Sequence, residues 1–322
     1  MENQSQGANY QQLLGIFFAL LGAVMFSTKA VFVKLAYQYG VDAISLLLFR
    51  MLFSLPIFLG IALYLSQKAG SYQPKGKDFL HIIGLGILGY YLASLFDFMG
   101  LQYISASLER LILFIYPTIV VLIGVFFFRE KLTWQQIVAL ILTYIGIMIV
   151  FFGNIEIGTK KDLYTGGALI LLSAICYAVY LAGSGRLLPK MGTWVFTSYA
   201  LTVSSSAVII HYLIYNQGFA SLDFPWQVYM YAALMATFST VIPTFLVSEG
   251  IRLIGASNAA IVGSSGPIST IILAYIFLGE RLSMVQILGG VLVLGGVLFI
   301  SLQQKKKQAL KKQAQKKQEA GA

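Results

Sequence analysis

From Gln12 to Leu302 the sequence is a succession of apolar runs, each about 20 residues long, separated by short polar turns. A run of that length matches the hydrocarbon thickness of a bilayer when it is helical. No water reaches the backbone there, so every N–H and C=O must be satisfied inside the segment, and a helix does this. Ten segments qualify: 12–36, 42–65, 79–101, 105–128, 133–152, 164–186, 193–215, 227–250, 256–278 and 283–302. Polar turns such as "SQKAGSYQPKGKD", "GNIEIGTKKD" and "NQGFASLDFPWQ" punctuate them. The expected fold is an all-α integral membrane protein of ten transmembrane helices. The first run is too long for a cleaved signal and lacks a basic flank, so it is read as retained.

Composition agrees with this class. Hydrophobic residues make up 58% of the chain and charged residues 11%, with mean hydropathy +0.80. A soluble chain carries about 25% charge. The single cysteine, Cys176, excludes an internal disulfide framework and a cysteine metal site. Seven lysines after Leu302 form a Lys/Gln/Ala tail suited to anionic headgroups rather than to nucleic acid.

Loop charge sets the expected orientation. With a cytoplasmic N-terminus, inside loops hold Lys68, Lys75, Lys77, Arg129, Lys131, Arg186, Lys190 and Arg252, besides the tail. Outside loops hold Lys160, Lys161 and Arg281. Both termini are therefore expected in the cytoplasm of a cell whose plasma (inner) membrane the chain crosses repeatedly.

An internal repeat divides the chain. "ASLERLILFIYPTIVVLIGVFFFREKL" begins at Ala106, and "ASNAAIVGSSGPISTIILAYIFLGERL" begins at Ala256. At this shift of 150, Pro117 meets Pro267, Glu130 meets Glu280, Gln136 meets Gln286 and Gly100 meets Gly250. At 151, "LGIFFALLGA" weakly matches "TGGALILLSA". The predicted organisation is a cytoplasmic segment 1–11, five helices in 12–152, an extracellular linker 153–163, five helices in 164–302 and a basic tail 303–322. Five is odd, so the halves insert in opposite senses, as in secondary transporters that bind solute where inverted repeats meet.

Several repeated residues have local roles. Thr133-x-x-Gln136 and Ser283-x-x-Gln286 read as capping boxes opening spans five and ten. Glu130 and Glu280, three residues earlier, read as turn anchors. Pro117 and Pro267 deprive the carbonyls of Leu113 and Gly263 of helix partners and are expected to kink spans four and nine. Within lipid, such freed carbonyls belong beside protein or a wet cavity.

By the paired prolines, by "REKLTWQQ" and "GERLSMVQ", and by "LLFR" at Leu47–Arg50, the chain resembles the EamA-type branch of the drug/metabolite transporter superfamily. The resemblance covers about Leu13 to Leu302. It implies a central cavity lined by spans one to four and six to nine. It also implies transport of a small metabolite, a class that extends in the wider superfamily to nucleotide sugars and triose phosphates.

Five charges lie inside the first four spans: Lys29, Arg50, Asp97, Glu109 and Arg110, summing to +1. Such residues are costly in lipid and usually face the interior. All fall in the expected outer half. Tyr90, Ser94 and Asp97 share one helix face, and Glu109, Leu113 and Tyr116 share another. Lys29 and Tyr116 would meet one cavity if these faces converge. Asn258 and Ser265, in the second copy, complete the substrate or gating candidates. Arg186, Glu249 and Arg252 form the expected inner gate. The competing reading makes Arg50–Asp97 and Arg110–Glu109 static pairs that only hold the fold. Asp97, Glu109 and Glu249 are the carboxylates within spans, and so the candidates for proton coupling.

Other patterns are set aside. "GLGILG" at Gly84–Gly89 lies in an apolar span, not between a strand and a helix, and reads as packing. His81 and His211 sit near opposite faces, and neither H-E-x-x-H nor G-x-S-x-G occurs. No enzyme activity, metal or cofactor is expected. The expected function is alternating-access transport of an amino-acid-like or other anionic solute, with a proton or counter-solute as coupling partner. An antiporter of phosphorylated or nucleotide-linked sugars is the second reading, and a membrane-embedded enzyme the third.

Overall fold

The computed structural model describes residues 2–128, 160–215, 222–263 and 266–280, with isolated positions between 134 and 149 and between 283 and 295. The described residues form helices and connecting turns, without a strand. In chain order the helices are α1 (Glu2–Tyr37), α2 (Ala43–Gln67), α3 (Lys77–Gly86), α4 (Ala93–Leu101), α5 (Ala106–Leu113), α6 (Tyr116–Phe128), α7 (Lys160–Met191), α8 (Thr193–Tyr215), α9 (Trp226–Ala236), α10 (Ile242–Ile254), α11 (Ala256–Val262) and α12 (Gly266–Leu278). A π-helical turn, Ile87–Leu92, joins α3 to α4, and another, Thr237–Val241, joins α9 to α10.

Among the described residues, seven helical stretches are long and apolar enough to cross a membrane. They correspond to the first four and the sixth to eighth of the ten expected spans. The ninth is represented by α11 and α12, on either side of residues 264–265, and the fifth and tenth fall largely outside the described residues. The capping-box residues Thr133, Gln136 and Gln286, and Glu130, lie outside them too.

Helix boundaries follow from local chemistry. Asp42 accepts bonds from the N–H groups of Ile44 and Ser45, at 2.9 and 3.0 Å, and so starts α2. Gly192, with φ +80°, lets α7 turn directly into α8. The prolines act more strongly than a bend. Helix α5 stops at Leu113 and α6 starts at Tyr116, with Pro117 in its first turn. Likewise α11 stops at Val262 and α12 starts at Gly266, with Pro267 in its first turn. Proline fits a first turn because the N–H it lacks would be unpaired there anyway.

Two apolar cores stack along the helices. One gathers Phe49, Met51, Phe98, Val228 and Met235 toward the end where α1 finishes, here termed the Glu280 end. The other gathers Phe58, Phe114, Tyr180, Phe196 and Ile251 toward the opposite, Glu249 end. Most outward-facing side chains, including Phe17, Leu63, Ile210 and Tyr275, are exposed and apolar, as lipid contact requires.

Glycines allow the tightest crossings. A Cβ on Gly100 would lie 2.5 Å from Ile170 and 3.2 Å from the Gly166 carbonyl, bringing α4 onto α7. A Cβ on Gly250 would lie 2.9 Å from Ala19 and 3.1 Å from the Gly15 carbonyl, bringing α10 onto α1. Close backbone approach of this kind holds helices together where lipid offers no hydrophobic drive. Gly100→Val and Gly250→Val are each expected to cost about 1–3 kcal/mol through overpacking. Gly60→Ala, where no atom lies within 4 Å, should be neutral or stabilising. Thermal unfolding followed by tryptophan fluorescence in detergent checks all three.

Candidate functional site

The charged residues singled out in the sequence converge, but their pairing differs from Arg50–Asp97 and Arg110–Glu109. Lys29 serves both carboxylates: its Nζ lies 2.7 Å from Asp97 and 3.7 Å from Glu109. Asp97 is 1% exposed and Glu109 fully buried, while the Lys29 side chain retains 14% exposure. Arg50, 2% exposed, donates from Nε to Thr240 at 2.9 Å and from a terminal nitrogen to Ser94 at 3.4 Å. Its guanidinium also sits over the Phe98 ring, 5.3 Å from the centroid. Arg110 reaches Thr270 at 2.9 Å and Ser27 at 3.1 Å. The two arginines thus take hydroxyl partners on other helices, and the lysine takes the carboxylates.

This arrangement also ties down the broken helix. The Ser27 hydroxyl lies 2.8 Å from the Ala23 carbonyl and 2.9 Å from the Gly266 carbonyl, and the Thr270 hydroxyl lies 3.3 Å from the latter oxygen. Arg110, from α5, holds both hydroxyls. The start of α12 is therefore fixed by α1 and α5.

Between the two cores lies a cavity with about 90 Å³ of water-accessible space. Lys29, Arg50 and Arg110 are among its lining residues, as are Tyr90, Tyr116 and Tyr177. Asp97 and Glu109 are not: they lie behind Lys29, away from the wall. Tyrosines form one side. Tyr90 packs edge-on to Tyr180, Tyr180 stacks on Tyr177, and Tyr177 packs edge-on to Tyr116, with ring centroids 4.9, 6.1 and 5.2 Å apart. The hydroxyl of Tyr116 would lie only 2.7 Å from a Cβ on Gly263, so a glycine there lets the ring into the cavity.

The remaining sequence candidates lie elsewhere. Asn258 does not line the cavity; its amide donates to the Ile254 carbonyl at 2.7 Å, one turn back. Ser265 falls outside the described residues. Glu249 and Arg252 form a two-point ion pair at the Glu249 end, and Thr193, at the start of α8, donates to Glu249. Arg186 stands exposed on α7 toward the same end. A further pair there, Lys190–Asp78 at 2.6 Å, with Tyr72 also donating to Asp78, joins α3 to α7. Sequence reasoning missed it, and missed Tyr177 and Tyr180. The three-residue spacing of those tyrosines in "CYAVY", on one face of a helix, was the available signal.

Glu280 has a role different from the turn anchor expected. Its carboxylate accepts bonds from the N–H groups of Ala106 and Ser107, at 2.9 and 3.0 Å, 174 and 173 residues away in sequence. Ser105 accepts from Leu108 at 3.2 Å. Three of the orphan donors at the start of α5 are thus satisfied, two by an anion well placed for the helix dipole.

The EamA-like transporter family matches twice, over residues 13–152 and 164–302. An uncharacterized transporter of Bacillus subtilis, YcbK, is 33% identical over 304 residues, covering 93% of this chain and 95% of that protein. A second from Bacillus subtilis, YyaM, is 27% identical over 227 residues, covering 70% of this chain and 74% of that protein. One solved crystal structure superposes with TM-score 0.66 at 14% identity, covering 91% of this chain and 98% of that one, a likeness of fold alone.

Replacing Glu280 with alanine is expected to destabilise the protein by about 1–2 kcal/mol, as loss of a helix cap does. Glu280→Gln, which keeps acceptor oxygen without the charge, should cost less. Chemical or thermal unfolding of the purified variants measures the difference.

Proposed function

The chain belongs to the EamA-like transporter family, and from that premise we propose that it is a secondary transporter of a small anionic solute. One observation carries the substrate class. Three cationic side chains line the cavity, while the two carboxylates that balance them lie behind its wall. A solute in the cavity therefore meets positive charge and tyrosine faces. Arg and Lys suit carboxylate or phosphate groups, and the aromatic wall suits an apolar body, which favours an amino-acid-like or other organic acid. Phosphorylated or nucleotide-linked sugars share the anionic group and form the second reading.

The proposed transport unit is ten helices in two inverted halves, 12–152 and 164–302, meeting at the cavity. Four correspondences support it. The π turns at Ile87 and Thr237 begin 150 residues apart. Helices α6 and α12, each with a proline in its first turn, begin at that same spacing. Gly100 packs on Gly166 and Ile170 as Gly250 packs on Gly15 and Ala19. A Cβ on Gly22 would lie 3.2 Å from the Pro243 carbonyl, while Ser173, its counterpart, donates to the Ala93 carbonyl at 2.7 Å. Two similar halves with two broken helices supply the parts for alternating access. In this scheme the Lys29–Asp97–Glu109–Arg110 group closes the Glu280 end, assigned to the outside, and the Glu249–Arg252–Thr193 group closes the cytoplasmic end. The chain resides in the plasma (inner) membrane with both termini in the cytoplasm.

Screening purified protein against amino acids, other carboxylates, phosphates and cationic drugs tests the substrate class. Anions should raise the unfolding temperature and cations should not; a ligand at a hundred times its Kd adds about 2.7 kcal/mol. Arg110→Ala, which also loses the bonds to Ser27 and Thr270, should unfold at a lower temperature and show no gain on adding the anion, and Lys29→Ala should abolish uptake of the stabilising solute while the protein still folds. Unchanged uptake in Lys29→Ala removes the lysine from the solute site. Epitope tags at the two ends should both be protected from protease in right-side-out vesicles; tags on opposite faces overturn the even-span arrangement.

A further inference from the structure

Lys29 is claimed from two sides. On one side it lines the cavity. On the other it is the ion-pair partner of both Asp97 and Glu109. The two carboxylates are unequal. Both are buried, and apart from the Lys29 ammonium neither carboxylate has a hydrogen-bond donor; Asp97 has the close contact at 2.7 Å and Glu109 the distant one at 3.7 Å. The charged and titratable groups around them are few among the described residues. Helix α1 contributes Lys29 and Tyr37, whose hydroxyl is bonded to the Phe98 carbonyl at 2.7 Å. Helix α2 contributes Arg50 and α5 contributes Arg110, and the hydrogen bonds of both go to hydroxyl groups. The π turn before α4 contributes Tyr90. Asp97 and Glu109 also act on each other.

We infer that Glu109 is a proton-binding site linked to the solute through Lys29. An anion arriving in the cavity draws the Lys29 ammonium toward itself. Asp97 and Glu109 are then left as two buried negative charges with less to balance them, and like charges at one site favour protonation of one. Glu109, the more distant from the ammonium, is the one that takes the proton. The proton comes from hydronium in the bulk water and ends on a Glu109 oxygen; Lys29 keeps its own and only changes partner. Binding of anion and proton are then mutually reinforcing, as linkage requires, so the solute crosses with a proton. The inference rests on the anionic-solute reading, but its first half, the proton site itself, is measurable without any solute.

The test reads the infrared carbonyl stretch of protonated carboxylic acids in purified full-length protein reconstituted in phosphatidylethanolamine–phosphatidylglycerol bilayers. Lys29→Met stands in for withdrawal of the ammonium. At neutral pH it should gain a band worth one protonated carboxyl per chain, and Lys29→Met/Glu109→Gln should lack it. Lys29→Arg, which keeps the charge, should resemble the wild type. Should Lys29→Met not fold, acid titration of the wild type serves: the first buried carboxyl band to appear should vanish in Glu109→Gln and persist in Asp97→Asn. A band that survives Glu109→Gln, or no band in either measurement, overturns the proton site. Failure of the anion screen with the Glu109 band intact counts against the solute reading alone.

Discussion

A polar group inside a bilayer must find its partner within the protein, and the central features of this chain answer that demand. Pro117 and Pro267, each in the first turn of its helix, lack the N–H that would pair a carbonyl one turn back. The Ser27 hydroxyl lies between the Ala23 carbonyl on its own helix and the Gly266 carbonyl at the start of α12, and is in turn held by Arg110. Arg110 needs acceptors, Lys29 needs anions, and Asp97 and Glu109 need a cation. The charges and the broken helices therefore form one connected system rather than two separate features. Its members come from α1, α4, α5 and α12, so these helices hold their rotations relative to one another.

Much of this was legible in the sequence because it depends on local pattern. Apolar runs of spanning length mark the helices, and proline marks where they stop. The five charges of the first four spans were recognisable as interior residues because lipid would not tolerate them. Their partners were not. Helical periodicity assigns Lys29, Arg50, Asp97 and Arg110 to faces but leaves the rotation and height of each helix undetermined, and a shift of one turn exchanges one partner for another. That is why the carboxylates go to Lys29 and not to the arginines. The same limit hid Tyr177 and Tyr180: a tyrosine within an apolar run reads equally as lipid-facing or cavity-facing until neighbouring helices are in place.

The π turns illustrate a second kind of invisibility. Neither Ile87–Leu92 nor Thr237–Val241 contains a residue type that demands the extra residue per turn. Their effect lies in where they aim side chains. Thr240, within the second turn, meets the Arg50 guanidinium, and Ser239 beside it meets Thr28 of α1. Widened turns often occur at functional sites for this reason. The positive lining of the cavity and its withdrawn negative charge arise from such placements, in which a few degrees of rotation decide which groups a solute encounters.

The carboxylate of Glu280 on the start of α5 bears on how the protein is made. A ribosome extends the chain from its amino end, so α5 reaches the membrane long before residue 280 exists. Until then the Ala106 and Ser107 amides lack their final acceptor, and Ser105 covers only Leu108. That helix tip settles into its mature seat after the last helices have been released from the insertion machinery. A nascent chain truncated before that point keeps a polar, unsealed tip. The contact thus ties an early-made helix to a late-made residue and closes only once the second copy of the repeat is in place.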